Sequence, residues 1–210
     1  MKKTIVLVTL FILPMVIYLF FASGITNFGR LGTLTENVSE LELVPDNVSL
    51  EGKITVLGFL GRDVENKKGN AFNLNQKIYK RFSEFDDFQF VMVMPKGTEQ
   101  RVEELKKELR QLADVGKWKF VFGDENEIYA MFNSLKTNLS LDKDLSTPYV
   151  FIIDKKRVLR GRDDDEGNGI KYGFNTSSVA DLNNKMEDDV KIILAEYRMA
   201  LKKNNANRIK

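Results

Sequence analysis

The densest group of residues able to do chemistry is the run Asp163-Asp164-Asp165-Glu166, followed by Gly167, Asn168 and Gly169. Adjacent carboxylates beside glycines can supply the hard oxygen ligands of a calcium loop, or a carboxylate-based hydrolytic centre. Counted from Asp164, the residues Glu166, Asn168 and Gly169 fall at positions three, five and six of an EF-hand loop. Position twelve is Asn175 rather than the bidentate Glu, and a hairpin rather than a helix precedes the run, so a solvated glycine-containing loop is the simpler account. A second charged group, Arg62, Asp63 and Glu65, lies in the stretch Gly61 to Asn70. It offers a partner-binding edge, and its plainer reading is a surface loop whose ion pairs contribute little. Met92 and Met94 could present thioethers on one strand face, but core packing accounts for them as well. Ser146 with Thr147, and Ser177 with Ser178, have no histidine to act as base; Ser177 instead suits the N-cap of a helix with Asp181 in its first turn.

The chain of 210 residues contains no cysteine and no histidine. It therefore has no thiolate nucleophile, no disulfide exchange, no thiolate or imidazole metal ligand and no imidazole base. No cofactor is expected. Thirty-two basic and 30 acidic residues leave a net charge of +2, which gives no electrostatic case for nucleic acid as a partner.

What must position these residues starts with an anchor. Thr4 to Ala22 is free of charge, preceded by Lys2 and Lys3, and 19 residues long. At helical rise that is ~28 Å, close to the hydrocarbon thickness of a bilayer. Cleavage after a small residue such as Ala22 or Gly24 is the competing reading, but the run exceeds a usual signal core and Phe20 and Phe21 crowd that site. Arg30 is the only basic residue from Ser23 to Glu51, so the N-terminus is expected inside and the domain outside the inner membrane, on the periplasmic side. The expected organisation is an uncleaved anchor at 1–23, a spacer at 24–50 with room for an early strand, one domain at 51–201 and a basic disordered tail at 202–210.

Within the domain, Ile54 to Leu60, Phe88 to Met94 and Trp118 to Phe122 are apolar β-prone runs that read as buried strands. Helical spacing follows each: Ala71 to Phe85 after a charged loop, then Val102, Leu105, Leu109 and Leu112, then a short helix capped by Asp124. Tyr149 to Asp154 and Val158 to Gly161 form a hairpin, and about Ser178 to Lys202 a final amphipathic helix. The order β-α-β-α-β-α-β-β-α implies parallel strands with right-handed crossovers and an antiparallel edge: an α/β fold with a mixed central sheet flanked by helices.

That order, with Thr147-Pro148 directly before the hairpin strand, resembles a thioredoxin-like fold, and the resemblance implies a cis Pro148 facing the redox loop. More narrowly, the anchor, Gly24, Asn27 and Phe28 in the spacer, Val150 to Asp154, and Arg160-Gly161 after the turn resemble the Sco/SenC group of copper chaperones and thiol reductases serving cytochrome oxidase assembly. That family carries two cysteines after the first core strand and a histidine before the hairpin. Here the matching stretches, Gly61 to Asn70 and Leu139 to Pro148, have neither. Copper(I) prefers soft sulfur and imidazole, and Asp63 with Glu65 offers hard oxygen only. The expectation is a redox-inactive, membrane-anchored relative acting by binding a protein in the cell envelope; calcium binding or hydrolysis at Asp163 to Glu166 is the alternative.

Overall fold

The structure is a computed structural model that describes residues 2–23, 30–43 and 47–208. It divides into two units, Met1–Arg30 and Leu31–Lys210. The first contains helix α1 (Lys2–Ser23), with Pro14 inside it. Among the described residues no helix is long and apolar enough to cross a membrane. The crossing expected over Thr4 to Ala22 lies partly outside the residues whose side chains are described, as do Gly24, Asn27 and Phe28 altogether.

The second unit is built on strands β1 (Gly32–Thr35), β2 (Ile54–Phe59), β3 (Phe88–Pro95), β4 (Trp118–Gly123), β5 (Tyr149–Ile153), β6 (Leu159–Gly161) and β7 (Phe174–Asn175). Their order is β1-β6-β5-β2-β3-β4, with β7 on β5. β2, β3 and β4 are parallel; β5 runs antiparallel to β2 and pairs with β6 as the expected hairpin. The connecting helices are α2 (Val64–Leu74), which passes through a π-helical turn (Asn75–Tyr79) into α3 (Lys80–Phe82), then α4 (Glu99–Arg110) and α5 (Glu125–Ser134). After β7 come α6 (Val179–Asp181), a second π turn (Leu182–Met186) and α7 (Glu187–Arg208).

The central strands are apolar on both sides because both faces are covered. Ile54, Val56, Phe88, Phe90, Met92, Met94, Trp118, Val150 and Ile152 share one core with α2, α4 and α7. Leu57, Phe59, Val91, Val93, Val121, Phe151 and Ile153 share the other with α5. Met92 and Met94 are at most 1% exposed and belong to the first core.

The segment expected as a spacer covers the rest of that second face. Val38, Leu41, Leu43, Val48 and Leu50 are buried there, so the domain starts at Leu31 rather than residue 51. The Glu40 carboxylate holds this segment closed by accepting from the backbone N–H of Leu41, Leu50 and Glu51 and from the Ser49 hydroxyl. Burial pushes its pKa up, but these bonds outweigh that and leave it lowered. At the other end α7 continues to Arg208, where the sequence predicts a tail from residue 202. Nothing in Lys202 to Arg208 is a helix breaker.

Candidate functional site

The charged stretch after β2 is not a loop. Asp63 caps α2, its carboxylate accepting from the Asn66 backbone N–H (3.4 Å) and from Asn66 Nδ2 (2.6 Å). With Glu65 in the first turn, these choices favour a helix start at Val64, several residues before the expected Ala71. Gly69 therefore lies inside the helix rather than ending a loop.

Gly61 makes the turn into the helix with φ +73°, and a Cβ there would sit 2.4 Å from the Asp144 carbonyl oxygen. This close approach docks Asp142 to Pro148 against the start of α2. The Arg62 N–H donates to Asp144 O (2.8 Å) and the Thr147 N–H to Phe59 O (3.1 Å). Pro148 leads the chain into β5 and ties it to the end of β7, its carbonyl accepting from the Thr176 N–H (2.8 Å) and hydroxyl (2.7 Å).

Around this junction the charges interlock. Arg62 pairs with Glu125 (2.9 Å) and donates to Lys143 O (3.3 Å), while Arg101 donates to Arg62 O (2.8 Å). Lys67 lies 3.6 Å from Asp142, and Lys68 bridges Glu65 and Glu108. Hydrogen bonds from Asn66, with Lys67 and Arg101 nearby, hold Asp63 below its ordinary pKa. Asp142 is raised by burial but brought down overall by the Ser146 hydroxyl and N–H, the Asp144 N–H and Lys67. The positive end of a helix can stabilise a reactive thiolate. In this chain it stabilises the Asp63 carboxylate, which has no covalent chemistry to perform with Asn66 as its partner. Ser146 is likewise bonded to a carboxylate that is occupied by two backbone N–H groups.

Arg62, Asp63 and Glu65 thus sit together, with Pro148 on the adjoining segment. Glu125, Arg101, Asp142 and Asp144 join them and were not singled out by sequence; the only local signal was Asp142, four residues before Ser146 in a segment suited to side-chain-to-backbone turns.

The acidic run is dispersed. Asp163 accepts from the Asp164 N–H, Asp164 from the Gly167 N–H, and Asp165 pairs with Lys185 (2.6 Å) and Arg162 (3.4 Å). Glu166 takes a left-handed conformation (φ 56°), and the Asn168 N–H donates to Asp165 O. Among the described residues no three acidic groups converge so as to hold a metal ion. The calcium and hydrolytic readings at Asp164, Glu166 and Asn168 gain nothing from this geometry, because the one inward carboxylate is already neutralised. Ser178, rather than Ser177, caps the last helix, accepting from the Asp181 N–H. The Ser177 hydroxyl donates to Asn175 Oδ1.

No family model and no curated protein matches the chain. Solved structures do. The solution structure of a candidate protein disulfide isomerase from Bacteroides thetaiotaomicron has a TM-score of 0.53 at 12% identity, covering 82% of this chain and 98% of that one. A candidate thiol:disulfide interchange protein DsbE from Chlorobium tepidum gives 0.50 at 12% identity, covering 78% and 99%. Copper-bound ScoI from Arabidopsis thaliana gives 0.46 at 18% identity, covering 73% and 97%. At these identities the likeness speaks to architecture: the chain has a thioredoxin-like fold, with an ion-paired helix start after its first core strand.

Proposed function

We propose that this protein is a membrane-anchored, redox-inactive relative of the Sco/SenC group that binds another protein in the cell envelope, within assembly of a respiratory complex. The observation that carries the reading is the junction of β2, α2 and the Asp142–Pro148 segment, which keeps a docked, ordered surface while holding a carboxylate where a thiolate would be useful. Glu65 and Glu125 are largely exposed at its rim, their side chains 74% and 57% accessible. The apolar run Thr4 to Ala22 and the lysines before it support an inner-membrane anchor with the domain on the periplasmic side.

Chemical crosslinking and capture of the full chain from its membranes tests this, comparing the native chain with Arg62→Ala/Glu65→Ala. Asp63→Asn is run alongside because it keeps the helix cap and so preserves folding. A discrete partner captured by the native chain and lost in the double variant supports the proposal. Equal capture by both chains moves the binding surface elsewhere.

A further inference from the structure

A second surface lies on the other face of the sheet, in the seam between the covering segment Leu31–Leu50 and α5. A cavity of about 500 Å³ opens there, lined among others by Glu40, Glu42, Leu43, Glu127, Met131 and Arg157. Three carboxylates, Glu40, Glu42 and Glu127, and one cation, Arg157, line it, so its wall is acidic on balance. Residues 31–51 contain Glu36, Glu40, Glu42, Asp46 and Glu51, and neither Lys nor Arg, in a chain whose overall charge is +2.

The charges in the seam are unequally answered. Glu127 pairs with Lys96 (3.1 Å) and closes the α5 capping box. Glu40 is bonded to N–H groups and a hydroxyl, with no cation within ion-pair distance among the described residues. Glu42 is exposed and has no ion pair among the described residues. Beneath them, Leu43 and Met131 are 5% and 4% exposed and supply an apolar floor. An acidic rim over an apolar floor fits a lysine or arginine side chain, whose hydrocarbon stem lies on apolar surface while its charged head reaches carboxylate.

We propose that this groove docks a cationic extended segment of a partner protein. The inference is independent of the junction at Arg62, and its test keeps the two apart. The full chain, held in nanodiscs of zwitterionic lipid at low salt, is titrated into a short fluorescent peptide of alternating Lys and Ala. Glu42→Lys replaces an attraction by a repulsion and weakens the Kd about tenfold. Glu84→Lys makes the same change in net charge at an exposed site outside the groove and leaves the Kd unchanged. The Arg62→Ala/Glu65→Ala chain binds the peptide like the native one. Absence of saturable binding, or equal weakening by Glu42→Lys and Glu84→Lys, overturns the proposal, the latter because attraction would then follow net charge alone.

Discussion

Arg160 is buried where β1, the β5–β6 hairpin and α7 meet. Its guanidinium is 7% exposed and donates to Leu31 O (2.6 and 3.2 Å) and Gly32 O (3.3 Å), and it pairs with Asp154 (3.0 Å) and Glu196 (2.9 Å). It thereby joins β1, the hairpin and α7. Burial pulls its pKa down, but the two carboxylates outweigh that and hold it charged. Arg160→Met keeps most of the volume and removes the charge. Asp154, only 4% exposed, then keeps the Lys156 and Val158 N–H groups on Oδ1 but loses its cation, whereas Glu196, 33% exposed, regains water. Breaking a buried pair costs about 3–5 kcal/mol, and the rehydration of Glu196 places this case near about 3 kcal/mol. For a domain of this size that lowers the Tm by roughly 10 °C. Urea titration followed by far-ultraviolet circular dichroism measures the loss. If the stranded carboxylate is the main cost, Arg160→Met/Asp154→Asn loses less than the sum of its single changes. A single-variant loss below about 1 kcal/mol, or strict additivity, refutes the reasoning.

Two glycines provide an opposed pair of predictions. A Cβ at Gly161 would lie 2.4 Å from Lys171 O, so Gly161→Ala costs about 1–3 kcal/mol, while Gly69→Ala, inside α2 with nothing within 4 Å, stabilises by about 0.5–1 kcal/mol; both are read by the same urea titration. Burial and the neighbouring Asp154 carboxylate raise Tyr197 from 10.0 to about 12. The unfolded chain therefore ionises this tyrosine first, and stability present below pH 10 is lost as pH rises towards 12; among the six tyrosines Tyr197 titrates late by ultraviolet absorbance, as does Tyr79, which burial also raises. Millimolar calcium leaves the Tm unchanged; a rise would restore the acidic run Asp163 to Glu166 as a binding site.

The sheet was legible because its central strands bury both faces, which makes Ile54 to Leu60, Phe88 to Met94 and Tyr149 to Ile153 runs that are apolar but for Thr55 and Gln89. Asp124 was legible because capping chemistry is local, and Glu127 completes the box. The start of α2 was not, since Val64 is the only apolar residue between Arg62 and Asn70 and the cap at Asp63 carries the signal alone. The packing of the covering segment after β1 escaped because the apolar residues from Val38 to Leu50 follow neither helical nor strand period; they pack as an irregular chain pinned by Glu40. Leu112 and Val179 continue helical stripes on paper, yet at 43% and 41% exposure they lie beyond or at the ends of the helices and face solvent. Arg160-Gly161 was noticed for its resemblance to a family; its role here is a clamp and a close backbone crossing. The junction around Arg62 was half visible, because Glu125, Arg101 and Asp142 reach it from three separate parts of the chain.

The central claim, that this junction is a partner-binding edge, is tested most directly by photocrosslinking in native membranes. A photoreactive amino acid is placed at Glu65 and, in a second chain, at Glu84 on the remote α3–β3 connection. A discrete adduct from position 65 and none from position 84 is the predicted result. No adduct from position 65, or the same adduct from both positions, contradicts the account.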